Sequence, residues 1–353
     1  MKKIFSIAVL LAFITSLGAC SNSSEPQNNS KSDDPASVSA TQSDTGAPAS
    51  SNQGGSSGGE QQIKDNELST TSGLVVKFNA TGASISSITW QNKQIAKDGF
   101  VVGRCANRIA NGKFTIDGTE YQADLNSGSH SLHGGNGSGW NSWRGPFATA
   151  TWTKVGQTID TITYSISSKD GANGYPGNMD MIVKYTLSQA GELTIEYSAT
   201  TDKATLCNPT NHLFIDINGS KSYDNVDLQI SADKYTPLQD QIPTGEIVSV
   251  EGTQFDYREK KTFDKSKDYD DNYVLNGTGY RQVATLTGNT SKLAVMVFTD
   301  RPGLQLYKDG SGNICLETQM FPDAINHENF ADPILRPGEN FYSKTTYVFA
   351  PID

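Results

Sequence analysis

The feature that most restricts the fold of this chain is a series of short apolar or β-branched runs that begins after residue 66. Several runs alternate apolar and polar side chains, and none continues with the period of about 3.6 residues that an amphipathic helix requires. Runs of this kind predict β-strands. The clearest are residues 74–78, 85–90, 161–166, 181–187, 193–197, 226–230, 293–298, 314–316 and 347–349.

Turn sequences separate the predicted strands. Asp117-Gly118 lies between residues 113–116 and 119–122, and such a dipeptide favours a two-residue hairpin turn. Because helical segments do not alternate with the strands, a doubly wound α/β fold is disfavoured. No internal repeat or loop-rich break divides residues 67–353. We therefore expect these residues to form one all-β domain, a large antiparallel β-sandwich.

The start of the chain has the features of a bacterial export signal. Residues 2–3 are lysines, residues 4–14 form an apolar run, and small residues precede Cys20. The apolar run is too short to cross about 30 Å of hydrocarbon as a permanent helix. We expect residues 1–19 to be a lipoprotein signal peptide and Cys20 to carry the lipid, with an ordinary secretory signal as the alternative. The protein would then be exported and lipid-anchored to the cell envelope, in the periplasm or at the outer membrane or cell surface.

Residues 20–66 have the composition of a tether. They are rich in Ser, Asn, Gln, Gly, Pro, Ala and Asp and contain almost no large apolar side chain. Such a segment buries too little surface to offset its ordering entropy. We expect a lipid-anchored disordered tether between the anchor and the domain.

Charge and cysteine usage exclude several classes of partner. The formal net charge is −10, which disfavours nucleic acid and anionic membrane surfaces, so membrane contact is expected through the lipid anchor only. Cys105, Cys207 and Cys315 form an odd set without a CxxC pair, which favours buried free thiols over disulfides or a zinc ribbon.

Histidine is scarce, and only His130, His133, His212 and His327 occur. There is no HExxH motif or clustered Cys/His set, so no metal site is predicted. The glycine-rich stretch that contains His130 and His133 does not match a phosphate-binding pattern that opens a helix. By local chemistry alone it is a surface turn.

Two polar residues lie beside or within apolar runs. His212 follows a polar patch and leads into Leu213, and Glu317 lies in a strand-like run where period 2 places it on the face of Cys315 and opposite Leu316. A buried carboxylate without partners is costly, which favours a functional role. Desolvation also raises the proton affinity of a glutamate, as suits a general base near neutral pH.

Separate stretches of the chain resemble, in order, the conserved blocks of the aldose 1-epimerase (galactose mutarotase) family. They cover essentially all of residues 67–353, and their collinearity makes the signal far stronger than one motif. The stretches are residues 103–112 (GRCANRIANG), 132–135 (LHGG), 175–177 (YPG), 209–212 (PTNH), 242–246 (IPTGE), 255–256 (FD), 269–272 (YDDN), 302–305 (PGLQ), 315–319 (CLETQ), 321–323 (FPD) and 336–339 (RPGE).

The resemblance implies a galactose mutarotase-like supersandwich and interconversion of the anomers of a free aldohexose such as galactose or glucose, without a cofactor. His212 would be the acid that protonates the ring oxygen, and Glu317 the base that removes the proton of the anomeric hydroxyl. His133 would hydrogen-bond near the reacting oxygens. The other sugar hydroxyls would be bound by Asn107, Arg108, Asp270 and Gln305.

Further residues have weaker assignments. Trp140, Trp143 and Phe321 are candidates for an apolar wall against the sugar, with core packing as the alternative. Arg104 is expected to be a structural strut, Asp256 to cap a turn and His130 to lie on a loop surface; His327 has no role that the family implies.

The chain departs from the family pattern at three places. Residues 213–216 read LFID where the family has SYFN, Asp271 stands where a histidine is usual, and residues 306–310 replace a YTGN-like run. These changes leave the acid and base in place. They alter polar partners through which such a site discriminates among sugars.

Two alternatives remain open at this stage. One is a non-catalytic carbohydrate-binding module on the same fold. The other is a glycoside hydrolase that pairs Glu317 with Asp256 or Asp270, which requires a carboxylate separation of about 5 to 10 Å.

Overall fold

The computed structural model describes residues 62–353, so the predicted signal peptide, Cys20 and the tether up to residue 61 lie outside the described residues. In this part of the chain no helix is long and apolar enough to cross a membrane. Among residues 62–353, helical structure is limited to one α-helical turn, Pro146–Thr149, and to 3₁₀ turns at Ala110–Gly112, Gly139–Arg144, Ala172–Gly174 and Ala324–Asn326.

Strands make up most of the remaining regular structure. In chain order they are β1 (Glu67–Ser69), β2 (Leu74–Asn79), β3 (Ser84–Trp90), β4 (Lys93–Val102), β5 (Arg108–Ile109), β6 (Lys113–Ile116), β7 (Thr119–Gln122), β8 (Ser131–Leu132), β9 (Thr153–Gln157), β10 (Thr161–Ser168), β11 (Met179–Leu187), β12 (Glu192–Thr201), β13 (Thr205–Leu206), β14 (Thr210–Ile215), β15 (Val226–Ile230), β16 (Lys234–Tyr235), β17 (Leu238–Gln239), β18 (Ile242–Pro243), β19 (Val248–Ser249), β20 (Lys261–Thr262), β21 (Asp270–Val274), β22 (Arg281–Gly288), β23 (Leu293–Thr299), β24 (Gly303–Lys308), β25 (Ile314–Gln319), β26 (Ile334–Leu335) and β27 (Phe341–Pro351). Each predicted run coincides with one of these strands, and β6 and β7 pair as the predicted hairpin.

Two large antiparallel sheets form the domain. The first has ten strands in the order β1-β2-β3-β4-β14-β25-β24-β21-β16-β19, and the second has nine in the order β20-β15-β22-β23-β27-β12-β11-β10-β9. Their apolar faces share one continuous core, to which Val76 and Leu316 contribute from the first sheet and Val183 and Val295 from the second. The prediction of an all-β antiparallel sandwich is therefore confirmed.

Alternation along the strands accounts for the packing of the second sheet. In β11 and β12 every second side chain is buried, and the intervening side chains are polar or partly exposed. Alternation of this kind is expected of an antiparallel sheet with one face in the core. The three cysteines Cys105, Cys207 and Cys315 are buried and free, as predicted.

Hydrogen bonds also join the two sheets across the core. The hydroxyl of Tyr347 in β27 donates to the carbonyl oxygen of Leu316 in β25 at 2.9 Å. The hydroxyls of Thr318 and Thr345 are also hydrogen-bonded to each other. Most buried hydroxyls in proteins are hydrogen-bonded, and these bonds both satisfy the polar groups and fix β25 against the second sheet. This strand carries Glu317.

The packing predicts that isoleucines on opposite faces of the second sheet differ strongly in their contribution to stability. Ile195 in β12 is fully buried, whereas Ile182 in the neighbouring β11 is 43% exposed. We expect Ile195→Ala to lower the free energy of unfolding by about 2–5 kcal/mol because it leaves a cavity. Ile182→Ala should change it by less than about 1 kcal/mol. Urea titration of the full-length variants, followed by tryptophan fluorescence, measures both; similar losses in the two variants would contradict the described packing.

Candidate active site

Four adjacent central strands of the first sheet carry polar side chains on the face directed away from the second sheet. These are His212 on β14, Glu317 on β25, Gln305 on β24 and Asp270 on β21. Gln305 lies directly opposite Glu317. Ile215 lies opposite Ile314, and counting back three residues along antiparallel strands places His212 opposite Glu317.

The face of Glu317 is the one that period 2 predicts. Leu316 packs in the main core between the sheets. Cys315 packs on the other side of β25, in a separate cluster with Phe100 and Phe214. The strand is buried on both faces, and Glu317 is only 2% exposed.

A cavity of about 140 Å³ lies over this polar face. Loops close it from above, because β5 and β8 pair with Arg108 opposite Leu132 and so bring the segments around Asn107 and His133 to the sheet. A Cβ atom on Gly145 would overlap the carbonyl oxygen of His133, so only glycine allows these two segments to pack. The cavity is lined by Asn107, Arg108, Leu132, His133, Trp143, His212, Asp270, Tyr307 and Glu317.

The side chains of His212 and Glu317 face each other but do not form a hydrogen bond. Nε2 of His212 lies 3.6 Å from Oε1 of Glu317, beyond the usual hydrogen-bond distance. Among the described residues, Oε2 of Glu317 and Nδ1 of His212 have no hydrogen-bond partner. Buried polar atoms are rarely left unpaired, and such exceptions are expected where a ligand binds.

Burial moves the pKa values of both residues towards the uncharged forms. The pKa of Glu317 lies well above its ordinary value, because burial and then the charge of Asp270 disfavour the carboxylate and Arg108 opposes them only in part. Burial is also the main cause that lowers the pKa of His212 to about 3, with Arg144 adding to it. Both shifts favour the state in which Glu317 carries the proton and the imidazole of His212 is neutral.

His133 is held as a neutral hydrogen-bond donor. Its Nδ1 accepts the backbone N–H of Asn107 at 3.2 Å, and its own backbone N–H donates to the carbonyl oxygen of Asn107 at 2.9 Å. An accepting Nδ1 leaves the proton of a neutral imidazole on Nε2. The pKa of His133 is well below its ordinary value, first because of burial and then because of His212 and Arg108.

Arg108, Asp270 and Gln305 form one hydrogen-bonded group. Nη1 of Arg108 donates to Oδ2 of Asp270 at 3.2 Å, and Nε2 of Gln305 donates to Oδ1 of Asp270 at 2.7 Å. Nε of Arg108 and Oε1 of Gln305 have no partner within residues 62–353. The group therefore offers a fixed set of donors and acceptors, with charge-assisted bonds available to hydroxyl groups.

Aromatic rings hold His212 in place. Its imidazole packs against Phe100 and Phe214, with ring centroids 5.0 and 4.7 Å away, and these two rings also contact each other at 6.3 Å. Trp143 and Tyr307 approach it edge-on at 6.4 and 5.6 Å. The sequence reasoning did not identify Tyr307 or Leu132 as lining residues. A signal for Tyr307 was present, since it shares a strand face with Gln305 two residues away.

The remaining candidates lie outside the cavity. Trp140 is fully exposed, and Phe321 packs edge-on against Phe330. Arg104 is a buried strut that donates to the carbonyl oxygens of Pro176 and Gly177. Three further candidates also lie elsewhere: His130, His327 and Asp256, the last in a bidentate pair with Arg258.

The residues that depart from the family pattern differ in whether they contact the site. Phe214 stacks on His212, as described, whereas Leu213 packs in the core between the sheets. Asp271 does not line the cavity, and burial raises the pKa of its carboxyl to about 6. Within residues 62–353 no group of three or more His, Cys, Asp or Glu side chains could hold a metal ion.

Comparison with known proteins connects this geometry to a family. The sequence model of the family described as aldose 1-epimerase matches residues 64–348. This chain belongs to the aldose 1-epimerase family. The galactose mutarotase of Bos taurus is 37% identical over 279 residues, which cover 71% of this chain and 78% of the relative. The aldose 1-epimerase of Escherichia coli strain K12 is 34% identical over 290 residues, which cover 72% of this chain and 81% of the relative.

Solved structures of the aldose 1-epimerase family share the fold. The structure of an aldose epimerase homologue from C. elegans superposes with a TM-score of 0.74 at 26% identity, covering 81% of this chain and 98% of the other. The galactose 1-epimerase from Lactobacillus acidophilus NCFM gives a TM-score of 0.70 at 24% identity, covering 83% and 97%. The resemblance found in the sequence motifs is thus confirmed for the domain.

The burial of this site predicts that the side chain of His212 is uncharged at every pH near neutrality. Burial disfavours the imidazolium, so the titration midpoint should lie near pH 3 and far below the ordinary value of 6.5. NMR of ¹³C-labelled histidine follows the ring shifts with pH, and His212→Asn assigns the resonance. In urea the same histidine should titrate at about 6.5. A midpoint near 6.5 in the folded protein would show that the site is hydrated.

Proposed function

We propose that this chain is an aldose 1-epimerase that interconverts the α and β anomers of a free aldohexose such as galactose or glucose. The observation that supports this most directly is the buried His212–Glu317 pair, in which Nε2 lies 3.6 Å from Oε1. Among the described residues, Oε2 of Glu317 has no hydrogen-bond partner. A proton donor and a proton acceptor at this separation can contact two oxygens bonded to one carbon, as the anomeric hydroxyl and the ring oxygen of a sugar are.

Ring opening is a balanced transfer of two protons. A carboxylate oxygen of Glu317 takes the proton of the anomeric hydroxyl, the bond between C1 and the ring oxygen breaks, and the ring oxygen takes the proton from Nε2 of His212. The anomeric oxygen becomes a carbonyl. Rotation about the C1–C2 bond presents the other face of the aldehyde, and closure with both transfers reversed gives the other anomer. No cofactor takes part, and Glu317 and His212 return to their first state.

Burial of the site determines which protonation state of the pair is favoured. Before opening, Glu317 is a carboxylate and His212 an imidazolium, and after opening both are neutral. The two states contain the same number of protons, so the enzyme exchanges none with solvent. The pKa shifts of both residues favour the neutral pair because the surroundings are dry. Ring opening therefore converts the charged pair to the neutral state that burial favours, and the neutral pair reaches the charged state by transfer of a proton from Glu317 to His212.

The other polar side chains suit recognition of the sugar. Nε2–H of His133 can donate to the anomeric oxygen as its negative charge develops, which is electrostatic stabilisation by a preorganised donor. Asp270, held by Arg108 and Gln305, accepts hydrogen bonds from hydroxyl groups on the far side of the ring. Asn107 presents its Oδ1 to the backbone N–H of Arg108 and so shapes the loop that carries that arginine.

Mutation of the pair tests the activity. We expect Glu317→Gln and His212→Asn each to lower kcat by at least about 10²-fold, because each removes one proton-transfer group. Polarimetry of freshly dissolved α-D-glucose and α-D-galactose measures the rate above spontaneous mutarotation. Asp256→Asn is the matched control, a carboxyl-to-amide change outside the cavity, and should leave kcat unchanged. Sugar binding without any acceleration by the wild-type chain would instead indicate a binding module.

We also propose that the protein is exported and attached to the cell envelope through lipid on Cys20. The support is the order of lysines, apolar run and small residues before Cys20. The predicted tether, residues 20–66, would give the domain reach from the membrane surface.

Lipid labelling tests this location. Cells that express the full-length chain should incorporate an alkyne-tagged fatty acid into it, and Cys20→Ser should abolish the label because the thiol that accepts the lipid is gone. Ser21→Ala, next to it, should keep the label. A label that persists in Cys20→Ser would exclude Cys20 as the lipid site.

A further inference from the structure

A second cavity, of about 380 Å³, lies beside the active-site cavity. The two have no lining residue in common, but consecutive residues separate them: Trp143 lines the active site and Arg144 lines the second cavity. Phe100, which stacks on His212, also lines the second cavity, and the guanidinium carbon of Arg144 lies 4.7 Å from its ring centroid. One layer of side chains therefore forms a wall of both cavities.

Groups without partners collect around the second cavity. Among the described residues, Nε of Arg144 is buried and has no hydrogen-bond partner. Asp98 and Arg144 both line the cavity. Within residues 62–353, neither side chain forms an ion pair, with the other or with a third residue. Trp140, also in the lining, is fully exposed. Its indole offers an apolar face and an N–H donor to a molecule bound in this cavity.

The charges restrict the ligand class. Arg144 would attract an anion, but Asp98 would repel it, and for a cation the two effects are reversed. A neutral polyhydroxyl molecule can instead donate a hydrogen bond to the carboxylate and accept one from the guanidinium. The indole of Trp140 offers a flat apolar surface for the C–H face of a pyranose. Asn141 and Ser138 add neutral polar groups to the same lining. A neutral sugar satisfies all of these groups.

The position of the cavity indicates where such a sugar would be attached. In the proposed reaction His212 lies at the ring oxygen, which is flanked by C1 and C5. C1 is the reacting carbon, so the remaining substituent on this side of the ring is C6. The second cavity lies beyond Phe100 and Arg144, on the His212 side of the site. The hydroxyls nearest Asp270, Arg108 and Gln305 are on the opposite side.

We propose that Trp140, Asp98 and Arg144 form a subsite for a second neutral sugar, linked through O6 of the sugar whose anomeric carbon reacts. The preferred substrates are then reducing (1→6)-linked oligosaccharides, with free hexoses as the minimal substrate. This rests on the proposed epimerase function, because it assigns His212 to the ring oxygen.

Exchange NMR on the full-length chain tests the subsite. Anomer exchange is measured at equilibrium, so no pure anomer is needed, and glucose, maltose and isomaltose share the same reducing sugar. We expect kcat/KM for isomaltose to exceed that for glucose about tenfold, and maltose to give no such gain. Trp140→Ala and Asp98→Asn should bring the isomaltose value down to that of glucose, with glucose itself changed less than twofold. Tyr342→Ala, an exposed aromatic on the second sheet, is the control and should change neither value.

Different results would overturn the subsite proposal and the epimerase proposal. Equal kcat/KM for isomaltose and glucose, or an isomaltose advantage that survives Trp140→Ala, would overturn the subsite while leaving the epimerase intact. Absence of exchange for every sugar would overturn the epimerase. In that case calorimetric titration decides the subsite: isomaltose must bind about tenfold more tightly than glucose to the wild-type chain and equally to Trp140→Ala, and any other result overturns it.

Discussion

The site depends on one constraint, the burial of β25 on both faces. Leu316 and Thr318 face the second sheet, where Tyr347 and Thr345 bond to the strand. The opposite face carries Glu317 under a cover of loops. A carboxyl group in such surroundings is poorly solvated, so its proton affinity rises. A buried polar atom that lacks a hydrogen-bond partner also costs free energy. The packing that makes the sandwich stable therefore also sets the acid–base properties of the site.

The sequence predicted much of the framework for physical reasons that are local. Alternation and β-branched runs predicted strands such as β11 and β12, and the period of β25 placed Glu317 opposite Leu316. β4 was harder to identify, because its pattern is interrupted near Asp98, where the backbone turns to positive φ. The pairing of distant strands is not encoded in any local pattern, so the order β14-β25-β24-β21 required the structure.

The site residues, too, were predicted from the sequence only in part. The family motifs pointed to seven residues, and six of them line one cavity: His212, Glu317, His133, Asn107, Arg108 and Asp270. The seventh, Gln305, does not line the cavity but donates a hydrogen bond to Asp270. Motifs did not separate Trp143, which lines the cavity, from Trp140, which does not, because both lie in the same short loop. Nor could they show that Phe100 packs against the imidazole. That contact arises from the pairing of β4 with β14, which places Phe100 directly opposite His212.

The placement of Trp143 and Arg144 on a surface loop has a consequence for how such proteins diversify. The proton-transfer groups stand on central strands whose backbone hydrogen bonds fix their spacing, whereas the neighbouring cavity is built largely by residues 138–149. A loop tolerates insertion and exchange far better than a central strand. Exchange of this segment between relatives would therefore reshape the neighbouring cavity, while His212 and Glu317 keep the spacing that β14 and β25 give them.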